Sequence, residues 1–223
     1  MNALEKHVLQ IIGENTDSPD VFLNTDAGMA PVRDSINDAI QELCMVTGSY
    51  RKMYLLPLYA DRQFYRMAWE ADHFGYVVEA WDRSRNRRLT HTDLANLNAQ
   101  DNMWMKHTGT PDSYLQIGED IIGFYRKPAS EGVVLELTCV CVPKPYTTDT
   151  APVKLREQFE RAAVYYAVCD YFASRGDARR AAEFFERYTE TAGIMTLHPQ
   201  AAEKQNQFGG NRYERNDNAR RTG

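Results

Sequence analysis

"GVVLELTCVCV", Gly132 to Val142, decides how the chain is to be read. Val133, Leu135, Leu137, Cys139 and Cys141 fall on one side of a two-residue period, against Val134, Glu136 and Thr138 on the other. An apolar face backed by a mixed one is the pattern of a half-buried antiparallel strand. Upstream, back to Tyr50, the segments "KMYLLPLY", "RQFYRMAW", "GYVVEAW", "DSYLQIG" and "DIIGFYR" carry the same aromatic and β-branched signature, broken by Gly, Pro and Asp. "GED" between the last two marks a tight hairpin. One helical interruption, "LTHTDLANLNAQDNMWM", is expected to be capped by Thr90 or Thr92, with Leu94 and Leu97 facing inward.

On both sides of this strand-rich stretch the period changes to that of a helix. Leu4, Val8, Ile11 and Ile12 predict a short helix ending at Gly13. In "PVRDSINDAIQELCMVTG" the stripe Val32, Ile36, Ala39, Ile40 and Leu43 predicts a helix from Pro31 to Thr47, stopped by Gly48. After Pro143, Asp149 or Thr150 is expected to cap a helix with Pro152 in its first turn and a stripe of Leu155, Phe159, Ala162, Ala163, Tyr166 and Cys169. Gly176 stops that helix and Asp177 caps the next. Pro152 to Met195 therefore reads as an antiparallel helix hairpin, with Ala162, Ala163, Ala167, Ala181 and Ala182 permitting close approach.

The expected fold is α+β: a helical bundle of the N-terminal helices and the C-terminal hairpin, carrying a β-rich insertion and an extended C-terminal tail. The boundaries are 1–49, 50–145, 146–196 and 197–223.

The chain has 223 residues and a net charge of −5, which excludes a protein whose whole surface grips nucleic acid. From Leu197 onward five Lys/Arg face three Asp/Glu, so an acidic body carries a basic tail. Cys44, Cys139, Cys141 and Cys169 form no CxxC pair and read as buried thiols of a reducing compartment. No apolar run matches a signal peptide or a membrane span. Phosphate-loop, dinucleotide, nucleophile-elbow and zinc-helix patterns are all missing, so neither an enzyme nor a cofactor or metal site is expected. The five histidines are scattered; His107 with Asp101 is the one drawable acid/base pair, and solvated loop residues are its plainer reading. Asp34, Asp38 and Glu42 make a like-charged helix row, read as solvated surface. "DRSRNRRLTH" gathers Arg83, Arg85, Arg87 and Arg88, read either as a solvated loop or as a contact to a protein partner or DNA.

Three stretches, taken in order, resemble one family. They are "SINDAIQEL", then "MWMKHTGTPDSYLQIGEDIIGFYRKP", then "LELTCVCVPKPYTTDTAP" followed by "FERAAVYYAVCDYF". Over roughly residues 30 to 190 the chain resembles the adaptor (connector, or head-completion) proteins of tailed bacteriophages. The resemblance implies a structural virion protein at the head–tail junction, made in the host cytoplasm. It implies a homo-oligomeric ring of twelve copies under the portal, touching tail or nozzle proteins, with genomic DNA passing through its channel during ejection and no membrane contact. It further implies that the C-terminal extension docks on the portal. Phe208 and Tyr213 are then apolar anchors, and Arg212, Arg215, Arg220 and Arg221 are partners for carboxylates. Two alternatives stay open: a nucleic-acid-binding module using Arg83–Arg88 and the tail, and a cell-wall hydrolase using carboxylates that no pattern singles out.

Overall fold

A computed structural model describes residues 1–13, 25–67 and 72–193. The expected tail and the end of the expected hairpin lie outside them.

Two helices open the chain. In α1 (Ala3–Ile12), Asn2 accepts the Glu5 N–H while Glu5 accepts the Asn2 N–H, a reciprocal cap, and Gly13 closes the helix in the left-handed conformation. α2 (Asp26–Thr47) starts five residues before the expected Pro31. Thr25 is its true cap, its hydroxyl accepting from Gly28 N, and Pro31 sits inside the helix. The stripe Val32, Ile36, Ala39, Ile40 and Leu43 is buried as expected.

The strand-rich middle forms two four-stranded sheets. The first has the order β1 (Arg51–Pro57), β10 (Val134–Val142), β3 (His73–Asp82), β4 (Arg87–Arg88), paired antiparallel throughout. The second has the order β2 (Phe64–Arg66), β8 (Ile121–Tyr125), β7 (Ser113–Ile117), β5 (Thr90–His91). β7 and β8 pair antiparallel about Gly118, which takes a φ of 62°. A small parallel pair joins β6 (Thr108–Gly109) to β9 (Lys127–Pro128). The quoted strand, β10, is central: Leu135, Leu137, Cys139 and Cys141 are all buried. They meet Tyr114, Ile122 and Phe124 from the second sheet in one shared core. Gly123 is required there, because a Cβ would lie 2.8 Å from the Phe64 ring and 2.9 Å from Leu115.

α3 (Leu94–Gln100) is capped by Asp93, not by Thr90 or Thr92; Thr90 belongs to β5 and Leu94 is exposed. Leu97 is buried with Trp104 and Leu115 in a separate cluster, and Trp104 donates its indole N–H to Asn98 Oδ1 at 2.9 Å.

α4 (Glu157–Ser174) begins seven residues after Thr150, with no side-chain cap at Arg156. Thr147, Asp149 and Thr150 bond to one another locally instead, leaving Pro152 outside any helix. α5 (Ala178–Ala192) is capped by Asp177 as expected.

The expected helical bundle with an antiparallel hairpin is not the architecture. The α+β class survives only in part. The described residues hold five α-helices and two separate four-stranded sheets, and the sheets have a core of their own instead of hanging as an insertion from a bundle. The helices share another core, reached by Tyr146 from the connector. Where α4 meets α5 the ring contacts are aromatic: Tyr165 with Phe184, Tyr166 with Tyr188 and Phe172 stacked on Phe184, at centroid distances of 6.1, 5.2 and 5.9 Å. The expected small-residue seam is interrupted, since Ala182 faces solvent.

Candidate functional site

Three of the four loop arginines are neutralised by the sheet beneath them. Asp82, buried at the end of β3, accepts from Ser84 N, Ser84 Oγ and Arg85 N, which folds the loop. Arg83 makes a forked pair with Glu136 on β10, Nε to Oε2 at 2.8 Å and Nη2 to Oε1 at 2.5 Å, and lies over the Trp81 ring. Arg83 holds the Glu136 carboxyl below its ordinary range, and Glu136 raises the guanidinium in turn. Arg88 pairs with Glu79 at 3.2 Å, and Arg85 lies 3.8 Å from Asp82.

Arg87 has no ion-pair partner among the described residues. It borders an open groove of about 550 Å³ with His91, Asn96, Gln100 and Tyr125. Replacing Arg87 with Glu should therefore shift stability by less than about 0.5 kcal/mol in urea unfolding. Arg83→Ala, which removes the partner of Glu136, should lower the stability only slightly in the same measurement, because solvent screens the exposed pair.

His107 does meet Asp101, Nδ1 to Oδ2 at 2.9 Å. The 2.9 Å contact is not a hydrogen bond, since the buried Asp101 Oδ2 has no hydrogen-bond partner among the described residues; Oδ1 accepts from Met103 N and ties the end of α3 to the 3-10 turn Trp104–Lys106, with the Tyr125 ring tilted over the imidazole. The cysteines are unpaired thiols; burial pushes Cys44 up to about 11 and Cys139 up to about 12, so both are protonated at neutral pH. Among the described residues no group of three or more His, Cys, Asp or Glu is placed to hold a metal ion.

The polar centre that the sequence did not reveal joins α1, α2 and the connector. Glu5, only 2% exposed, accepts from Arg33 Nε at 2.9 Å and faces the Tyr146 hydroxyl at 3.4 Å. Burial pushes the Tyr146 phenol up to about 12, and the Glu5 charge adds to the effect. One turn along α2, Asn37 donates to Tyr146 O at 3.1 Å and accepts from Tyr146 N at 3.0 Å. Its amide imitates a strand neighbour and fixes the connector on the helix. A polar residue wedged between Ile36 and Ala39 was the available signal. Asn37→Ala would leave both buried Tyr146 backbone groups unpaired, and should cost about 2 kcal/mol in urea unfolding. Beside this centre lies an open cleft of about 280 Å³ between Arg33 and Thr147–Ala151.

Two kinds of exposed surface suit an assembly component. β1 is an edge strand whose outer face shows Met53 and Leu55, 64% and 65% exposed, next to Val134. On the helices, Asp34, Asp38 and Glu42 form the expected exposed acidic row. The tail residues Phe208, Arg212, Tyr213, Arg215, Arg220 and Arg221 lie outside the described residues.

A family model described as SU10 adaptor protein matches residues 6–214. The chain belongs to the SU10 adaptor protein family. This is a family of phage head-to-tail adaptors, so the chain is a phage structural protein. The match runs further than the three resembling stretches. It takes in α1 from Lys6 onward, the other helices and the tail as far as Phe208, Arg212 and Tyr213, and stops short of Arg215, Arg220 and Arg221. No curated protein matches the adaptor. Among its described residues no helix is long and apolar enough to cross a membrane.

Proposed function

We infer that the adaptor forms a ring that binds the portal, lengthens the channel for genomic DNA and links the capsid to the tail, with twelve copies as the expected number. The family match over residues 6–214 carries this reading. The chain's chemistry supports it. An acidic body lets DNA pass, because like charge gives a polyanion no counterion to release. The pairing of Arg83, Arg85 and Arg88 with Glu136, Asp82 and Glu79 supports a protein-facing loop over a phosphate grip, with Arg87 as its one charge open to a partner. The open β1 edge gives a tail or nozzle protein, or a neighbouring copy, an apolar strand to lie against. The C-terminal segment 197–223 serves as the portal anchor, and 50–145 as the part turned away from the portal.

The test is mass photometry of the purified chain, alone and mixed with a portal ring from the same genome. A stoichiometric complex of many copies is expected. A chain that stays monomeric and ignores the portal would sink the reading.

A further inference from the structure

The open groove beside Arg87 is built by one face of the second sheet and by α3. A row of paired residues crosses three strands there: Thr90 on β5 stands opposite Ser113 on β7, and Ser113 opposite Tyr125 on β8. Paired residues share a sheet face, so the row forms one surface of the groove. α3 packs on that same face through Leu97 against Leu115, and adds Asn96 and Gln100 to the lining. Arg87 and His91 complete it. The volume of about 550 Å³ is in the range of pockets that hold ligands.

This lining both gives and takes hydrogen bonds. Thr90 and Gln100 are exposed, and each side chain carries a donor and an acceptor. Asn96 spends its amide N–H on Asp93 at 2.6 Å, and Ser113 spends its hydroxyl hydrogen on Asp112 at 3.1 Å, so both keep an oxygen that accepts. Arg87 only donates, and the Asp112 carboxylate only accepts.

These groups select among polymers. A phosphate backbone is acceptor-only along its length and would meet Asp112 as a like charge. Stacked bases or sugar rings need a bare aromatic face. The Tyr125 ring is already shared by His107, tilted at 6.4 Å, and by the Arg126 guanidinium at 5.8 Å, while His91 stands edge-on to Tyr114 at 5.2 Å. An extended peptide meets the whole lining, because its backbone N–H and C=O groups alternately donate and accept. Its charge must be negative. Arg87 and Arg126 both border Tyr125, and neither has an ion pair among the described residues. A carboxylate can take a forked pair of N–H donors from Arg87.

We propose that this groove binds an extended segment of a partner protein and seats one of its Asp or Glu side chains on Arg87. The inference rests on the protein-facing reading of the arginine loop above, and says where the partner lies and by what chemistry it is held.

The test probes an array of short overlapping peptides, covering the head and tail proteins of the same genome, with the labelled full chain. Peptides carrying Asp or Glu should be retained. Fluorescence anisotropy of the tightest of them should show at least roughly tenfold weaker binding to Arg87→Glu, because like charges now meet. Exchanging the carboxylate residue of that peptide for Lys should restore binding to Arg87→Glu. Gln100→Ala should weaken binding roughly threefold, as the loss of one hydrogen bond does. Urea unfolding close to wild type shows that both variants are folded. An empty array, retention of peptides without a carboxylate, or binding that Arg87→Glu leaves unchanged overturns the site. If a single-stranded oligonucleotide or an acidic polysaccharide binds instead and Arg87→Glu abolishes it, the groove takes polyanions, and the protein-facing reading of the loop falls with the proposal. The ring reading is judged separately: a stoichiometric complex with the portal in mass photometry keeps it standing when the array fails.

Discussion

Deleting residues 198–223 should weaken portal binding by on the order of 10³-fold and leave the rest of the chain folded. The estimate follows from the anchors removed. Interface residues that dominate binding are enriched in aromatics and arginine, and lose about 2 kcal/mol or more each when truncated. The segment carries Phe208 and Tyr213 among Arg212, Arg215, Arg220 and Arg221. Two such anchors at about 2 kcal/mol each correspond to roughly three decades in affinity. Folding should be unaffected, since the described residues up to 193 already build a helical core and a sheet core. Fluorescence anisotropy or mass photometry against the portal ring reads the first part, and urea unfolding the second. Full-strength portal binding by the truncated chain would move the portal contact onto the body. Substituting Phe208 and Tyr213 alone then separates apolar anchoring from charge, because arginine contacts weaken with salt whereas apolar ones do not.

The chain's alternations and terminal caps were legible because each depends on residues close in sequence. Gly13, Gly48 and Asp177 end or begin helices by local backbone chemistry, and β10 announces its buried face through spacing alone. What failed were competitions between local signals. Thr150 and Pro152 resemble a helix start, but Thr150 is consumed by Thr147 and helix formation waits until Glu157. Pro31 resembles a first-turn proline, yet Thr25 has already capped the helix upstream. The bundle was expected because the longest periodic runs are helical, and nothing local says that the short strands close into two sheets around their own core.

The candidate sites divide along the same line. Four arginines within six residues are visible in the sequence, but their neutralisation is not, since Arg83 finds Glu136 across 53 positions. Asn37 and Tyr146 stand 109 apart, and Ser35 and Asp170 stand 135 apart. Tyr166 reads as an ordinary stripe residue, and its edge-on contact with Tyr188 exists only once α4 and α5 fold together. Membership of the family was legible from the order of three stretches, whereas the surfaces by which the adaptor assembles depend on pairings that only the folded chain creates.

Replacing Arg33 with Met should be among the most destabilising exchanges in the molecule, at about 3 kcal/mol. Arg33 is itself only 12% exposed and is the main counter-charge of Glu5, which is 2% exposed. Breaking a buried pair by removing one partner commonly costs about 3–5 kcal/mol, because the remaining charge stays buried and uncompensated. The lower end applies here for two reasons. Glu5 retains the Asn2 N–H at 2.9 Å, and the N-terminal amine stands 4.0 Å away. The cleft beside Arg33 also opens to water. The loss should concentrate in α1, whose Val8 and Leu9 are fully buried in the helical core and would be exposed if the helix undocked. Hydrogen exchange should therefore accelerate in α1 before it does in the sheets. The double variant Glu5→Gln, Arg33→Met removes both charges and should recover at least about 1 kcal/mol relative to Arg33→Met alone. Urea unfolding of the three chains gives the cycle directly. An Arg33→Met chain as stable as wild type would mean that Glu5 reaches water through the cleft, and that the apolar face of α1, without the ion pair, holds the N-terminus in place.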